Sequence, residues 1–344
     1  MMNNFPQSFL RAAAKTIVGL LSFVSLTALL CEQASAFPEM IRKGYPNCTT
    51  CHVSPAGGGV LTDYGREISK DVLATWSGAK ENQFAHGLIP LPEVLKLGGD
   101  IRRIQTYIDT PAYKTGRWFL MQANLEAAVV TSRFTAAASA DYDIGNPGTD
   151  SDDEWTSRKH YLLGQITDEA SVRAGLFLKN FGLGVADHTV QIRRGIGWDE
   201  GSETYNAEFN YIAESFAVTA TYVGGRPDDD EITSEKGVAL SGTYFLDTTY
   251  KVGASFFTGE TDADVKRTIF GPNWSLGWKK FAYWLGEFDF LQIDPEVGKK
   301  TLGYVSFNKV GYEIFRGADL YFMHELKKND NKAKYLDFTG YGPG

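Results

Sequence analysis

The chain has 344 residues, with 34 Lys and Arg against 42 Asp and Glu, a formal charge of −8. An acidic surface of this kind excludes nucleic acid as a partner, because phosphate binding needs clustered Lys and Arg. Three cysteines are too few for a disulfide scaffold.

Residues 1–36 read as an export signal. Arg11 and Lys15 give a positive start, Ile17 to Leu30 is an apolar run of fourteen residues, and Ala34-Ser35-Ala36 offers the small-x-small cleavage pattern. The run is shorter than the roughly 20 residues of a spanning helix. Cleavage discards Cys31 with Arg11, Lys15 and Glu32, leaving a charge of −9 and only two cysteines, Cys48 and Cys51. The destination is the bacterial cell envelope.

The next stretch, 37–95, is loop-rich, with a Gly57-Gly58-Gly59 run and one short helix expected from about Thr62 to Trp76. It contains Cys48-Thr49-Thr50-Cys51-His52. Two thiols three positions apart can form thioethers with the vinyl groups on one porphyrin edge, and the following imidazole can lie beneath the iron. One covalent haem c is therefore expected on Cys48 and Cys51, with His52 as proximal axial ligand. Zinc would need a fourth ligand, and a redox CxxC would need a strand–helix junction, which is not visible here. For the sixth position His86 is preferred, over Met40, Met121, His160, His188 and His324. Its alternative role is a loop cap above an open or water-bound face. Arg66 is a candidate partner for a haem propionate, since guanidinium binds carboxylate in bidentate fashion; a solvent-exposed helix position is its other reading.

From 96 to the end the pattern changes to period-two segments rich in aromatic and β-branched residues, which predict strands. Val238, Leu240, Tyr244 and Leu246 alternate with Ala239, Ser241, Thr243 and Phe245; Phe270, Trp274, Leu276 and Trp278 form a second row, and Val172, Ala174, Leu176 and Leu178 a third. Short turns are expected near 131–133, 168–169, 214–215, 247–248 and 279–280. Longer polar connections are expected at Gly145–Ser157, Asn180–Ser202, Gly224–Glu235, Gly259–Lys266 and about Asp294–Lys300. Alternating short turns and long loops is the grammar of an up-and-down antiparallel outer-membrane barrel, here of about 12–16 strands, and not of a soluble sandwich. Loop parity places the haem segment on the periplasmic side. The acidic runs Asp150–Glu154 and Asp228–Glu231 read as solvated loop tips. The connection Asn180–Gly201, with His188, Arg193, Arg194, Trp198, Asp199 and Glu200, reads two ways: a loop folded into the barrel whose arginines form a positive constriction, or an external loop packed on itself.

Together these features resemble a group of bacterial outer-membrane proteins that join a monohaem c-type segment to a porin-like β-barrel. The resemblance rests on Gly44-Tyr45-Pro46-Asn47-Cys48-Thr49-Thr50-Cys51-His52-Val53-Ser54-Pro55 and on Leu61-Thr62-Asp63-Tyr64-Gly65-Arg66. Ala174-Gly175-Leu176-Phe177, Asn180-Phe181-Gly182, Asp187-His188-Thr189 and Arg193-Arg194-Gly195 add to it. One departure is the ending, Asp337-Phe338-Thr339-Gly340-Tyr341-Gly342-Pro343-Gly344, where such barrels close on an aromatic-tipped strand. A truncated chain or a different closure is expected from it.

The expected function is electron transfer at the outer membrane, with periplasmic or outer-membrane redox proteins and outer-membrane lipid as partners. No Ser-His-Asp arrangement or nucleotide loop argues for an enzyme, although an open sixth position would admit peroxidase chemistry. The alternative function is a porin-like small-solute channel with a structural or redox-sensing haem, and the alternative location is the soluble periplasm. An occluded lumen would favour the first function, and open rows of inward charges the second.

Overall fold

The computed structural model describes residues 38–110, 113–143, 154–185, 187, 189–199, 201–226, 234–333 and 335–343. The signal segment, His188, Glu200 and the acidic runs at 150–153 and 228–231 lie outside these, and so does the side chain of Met121.

Fifteen strands are present among the described residues, in one antiparallel sheet. They are β1 (Leu95–Asp109), β2 (Lys114–Val130), β3 (Phe134–Asp143), β4 (Glu154–Thr156), β5 (His160–Gln165), β6 (Ala170–Phe177), β7 (Thr204–Ile212), β8 (Phe216–Gly224) and β9 (Glu235–Phe245). After these come β10 (Tyr250–Thr261), β11 (Lys266–Trp278), β12 (Ala282–Asp294), β13 (Thr301–Phe315), β14 (Ala318–Lys328) and β15 (Phe338–Pro343). Each pairs with its sequence neighbour, except that β4 caps the end of β3 and β3 also pairs β5. Among the described residues no ladder joins β15 to β1.

The short turns fall where the period-two pattern breaks, at 131–133, 166–169, 213–215, 246–249 and 279–281. Two connections at the opposite end are shorter than a strict alternation would give. Residues 110–113 join β1 to β2, and 262–265 join β10 to β11, because the β10–β11 ladder continues to Glu260↔Lys266.

Polarity is inverted relative to a soluble protein. Val238, Leu240 and Tyr244 of β9 point outward and are exposed, and so are Phe270, Phe290, Leu302, Val310 and Phe322 on later strands. The inner face carries Glu126, Asp141, Arg173, Glu208, Asn210, Glu235, Ser275 and Glu287, all buried. An apolar exterior over a polar interior is the signature of an outer-membrane-type barrel, whose backbone polar groups are satisfied between strands. Leu176 departs from this rule and is buried on the outward row. His160 and Tyr205, its partners in β5 and β7, bring their rings together at 5.6 Å across it.

The interior is filled twice. The N-terminal segment 38–94 enters at the short-turn end and ties to the wall nearly all the way round. Glu39 pairs Lys309 of β13 at 2.7 Å, Arg42 pairs Asp319 of β14 at 3.1 Å, and Pro46 accepts Lys251 of β10 at 3.0 Å. Ser54 accepts Arg173 of β6 at 3.0 Å, and Arg316 between β13 and β14 donates to the carbonyls of Asp71 and Thr75. The second filling is the 178–203 connection, which folds inward. Phe181, Leu183, Val190, Ile192, Ile196 and Trp198 pack with Phe257, Ile269, Leu285 and Phe307 of the wall.

Candidate functional site

Cys48–Thr50 forms a 3-10 turn closed by hydrogen bonds from Cys51 N and His52 N to the Cys48 carbonyl, at 3.1 and 2.9 Å. Asn47 caps it, its side chain accepting from the Thr49 N–H at 3.0 Å. This is why the motif is a turn: Asn competes well for the first free N–H groups of a helical start. Residues three apart on such a turn share a face, so Cys48 and Cys51 present their thiols together. Both are free and half-buried, and burial pushes the Cys51 thiol up.

His52 then leaves the turn and is buried, 7% exposed. It bridges Leu61, while Val53 N donates to Val60 and Thr62 N to Cys51, closing a small hairpin over 52–61. The hairpin tip is Gly57-Gly58-Gly59, all with positive φ (78, 70 and 67°), a conformation that a Cβ would strain. The carbonyls of Gly58 and Gly59 turn back to hydrogen-bond the His52 ring. Burial holds the imidazole below its ordinary range, so it is neutral near pH 7. Its Nδ1 is buried without a hydrogen-bond partner. A neutral imidazole with one nitrogen held by backbone carbonyls and the other free has the form of a metal-ligating histidine.

Helix α1 (Asp63–Ile68), capped by Thr62, lies directly on the turn, with Gly65 against the Cys51 carbonyl. It continues as a π-helical stretch, Ser69–Leu73, so the expected helix from Thr62 is present but ends earlier than Trp76. Tyr45 and Tyr64 meet beside the turn, their hydroxyls 2.9 Å apart; the shared hydrogen bond, and then burial, push Tyr45 up to about 12.

The structure brings Cys48, Cys51 and His52 together and leaves the remaining candidates apart. His86 stands on an exposed turn, Phe84–Gly87, at φ 53°, and among the described residues no hydrogen bond or ring contact joins it to His52. Arg66 donates to the carbonyl of Leu97, anchoring β1. Met40 is buried in a 3-10 helix that packs on β11 and β12. His160 is engaged by Ser157 and Tyr205. Among the described residues no three His, Cys, Asp or Glu converge to hold a metal ion by themselves. Two free thiols on one face, followed by a buried imidazole with a free nitrogen, fit a covalently attached haem, whose porphyrin would supply four of the iron's ligands.

Sequence alone did not reveal what backs this turn. A cavity of about 190 Å³ lies between the Gly57–Gly59 tip, the infolded segment and the wall, with Gln122, Glu126, Lys159, Arg173 and Arg193 among the residues that line it. Gly184 of the infolded segment abuts Ala56. Arg193 therefore faces this cavity and Arg194 is exposed, so the two arginines form no common constriction.

No protein-family model and no curated protein matches the chain. Among solved structures it is similar to in-vitro folded OmpT, an outer membrane protein of Vibrio cholerae, at 12% identity and TM-score 0.40, covering 70% of this chain and 89% of that one. An OmpT variant lacking loop L8 gives 12% identity and TM-score 0.41, with 69% and 95% covered. The trimer form of OmpT gives 10% and 0.39, with 72% and 94% covered. Likeness at this level carries no inference about what this chain binds or does.

Proposed function

We propose that this chain is a monohaem c-type protein of the bacterial outer membrane that transfers electrons at the periplasmic face. The observation that carries the reading is the turn at 48–52: two free thiols on one face, followed by a buried histidine with an unpartnered ring nitrogen. When bound, such a haem supplies one-electron chemistry between ferric and ferrous iron. Cys48 and Cys51 would hold it through thioethers and His52 would ligate from the proximal side. His86 is the proposed distal ligand, reached by movement of its exposed turn, and Arg66 the proposed propionate contact with the guanidinium N–H groups not spent on Leu97.

The outward apolar rows support residence in lipid, and the short-turn end, where the 48–52 turn lies, supports a periplasmic orientation. The two fillings of the lumen favour electron transfer over solute passage, with periplasmic or outer-membrane redox proteins as partners. The polar inner wall is the observation on the side of the second reading, a porin-like small-solute channel with a structural or redox-sensing haem. The apolar cluster around Trp198 and Phe257 stands against it by occupying the lumen.

The test is a haem-stained denaturing gel on separated periplasmic and outer-membrane fractions, with Cys48→Ala/Cys51→Ala as control. Stain at the mature size in the outer membrane, absent from the control, is expected. Stain confined to the soluble periplasm overturns the membrane assignment, and no covalent stain in a host competent for cytochrome c maturation overturns the haem. Protease access to 40–90 on intact cells would overturn the orientation.

A further inference from the structure

Glu126 projects from β2 into the lumen and is 7% exposed. Its carboxylate accepts Lys159 Nζ at 2.6 Å. Lys159 is fixed just ahead of β5 by two bonds to Ser139: its N–H donates to Ser139 Oγ at 3.0 Å, and its carbonyl accepts Ser139 N at 2.7 Å. Gly59 rests on the same carboxylate, where a Cβ would stand 2.5 Å from Glu126 Oε2. The Gly58 and Gly59 carbonyls hold the His52 ring, and the Lys159 charge acts on that ring through space. An ion pair on the barrel wall, its carboxylate buried and its lysine side chain 38% exposed, is thus coupled to the imidazole, sterically through the glycine tip and electrostatically through Lys159.

Stability is a weak reason for such a pair. Taking the Glu126 carboxylate out of water costs several kcal/mol, and a partner ammonium that stays partly hydrated returns little of it. What the pair does provide is two fixed charges of opposite sign behind one histidine. Hydrogen bonding and charge around an axial imidazole are levers on the potential of the iron it ligates.

We propose that Glu126 and Lys159 are positioning residues for His52, and that the balance of their charges sets the reduction potential of the haem attached at Cys48 and Cys51. The inference rests on the haem reading above. Reduction adds one electron to ferric iron and lowers the positive charge there, so an uncompensated cation nearby favours the ferrous form. Glu126→Gln removes the carboxylate bonded to Lys159, leaving it only the weaker influence of Asp141 and Glu203, and moves the midpoint upward. Lys159→Gln leaves Glu126 uncompensated and moves it downward. The double variant returns toward the parent.

The experiment is a spectroelectrochemical titration of the full-length, haem-loaded chain, each titration moving one electron between mediator and iron. Opposite shifts in the single variants, with the absorbance bands of the parent retained, are expected. Glu126→Asp, which keeps the charge, should titrate close to the parent. Single variants that carry covalent haem and titrate at the parent's potential overturn the inference and leave the haem reading standing. A parent chain without covalent haem overturns both. If Glu126→Gln fails to assemble, Lys159→Gln decides alone: a downward shift supports the inference and an unchanged midpoint overturns it.

Discussion

Glu287, on the inner wall of β12, accepts the backbone N–H of Leu183 at 2.6 Å. Glu325 of β14 does the same for Gln191 N at 2.6 Å, and Glu235 of β9 accepts the Trp198 indole N–H at 3.0 Å. Three wall carboxyl groups therefore tether the infolded segment by hydrogen bonds to its backbone and to the Trp198 indole. Removing one acceptor orphans a buried donor, at a cost of about 1–3 kcal/mol. Glu287→Ala should accelerate hydrogen exchange at Leu183 by about 5- to 150-fold, on the same arithmetic, and raise conductance in planar bilayers. Parent-like exchange at Leu183 would show that the apolar cluster alone holds the segment.

Lys179 gives the docking of the same segment a pH dependence. Its ammonium lies 3.5 Å from Glu235 and 4.5 Å from the Trp198 ring centroid, and burial pulls it down to about 8. Free lysine titrates near about 10.4. Between these values the released segment binds the proton more readily than the docked one. Docking is therefore penalised below about 8 and strengthens as pH rises through the window. Arg267 holds Glu235 independently at 2.8 Å. Lys179→Met should dock at least as well at pH 7, and thermal unfolding across pH 7–10 should lose the rise that the parent shows. A rise that persists in Lys179→Met would place the titration on another group.

The wall was legible because strand alternation and tight turns are written in adjacent residues. The row Val238, Leu240, Tyr244 faces outward as its period requires, and Asp247 closes the next turn by accepting from Thr249 and Tyr250. The Cys48–His52 motif was legible for the same reason, its spacing and its geometry being one local fact. The fate of 178–203 was not. Phe181, Leu183, Ile192 and Trp198 would serve equally in a loop packed on itself, and only the carboxyl groups of β9, β12 and β14, over thirty residues away in sequence, decide that the loop turns inward. The Glu126–Lys159 pair behind His52 was hidden likewise, since its members lie on β2 and ahead of β5 and meet the glycine tip only once the sheet has curled around it.

Leu240 and Ser241 are neighbours on β9 that face opposite ways, and they separate lipid from lumen. Leu240 is 46% exposed on the outward row, whereas Ser241 meets Ser255 inside at 3.1 Å. A basic side chain facing lipid near the bilayer midplane costs about 2–4 kcal/mol. Leu240→Arg should lower the unfolding free energy of vesicle-folded protein, read from urea titration, by that amount, and Leu240→Ala much less. If Leu240→Arg is as stable in vesicles as Leu240→Ala, this face of β9 does not meet lipid.

Gly65 tests whether the helix that covers the thiol turn needs its close approach. Thr62 caps α1 and donates its N–H to the Cys51 carbonyl at 2.9 Å, and the same carbonyl lies where a Cβ on Gly65 would have to stand. The atom in the way is backbone, held by the turn itself, so it cannot swing aside as a flexible side chain would. Gly65→Ala should therefore lift α1 from the turn at a cost of about 1–3 kcal/mol, and reduce covalent haem stain per mole of protein as the thiols lose their fixed presentation. Gly78 supplies the control, because nothing lies within 4 Å of the position its Cβ would take. Gly78→Ala should match the parent in stability and stain. Equal stain in both variants would mean that the 48–52 turn keeps its shape without α1 packed against it, and that the Asn47 cap is sufficient.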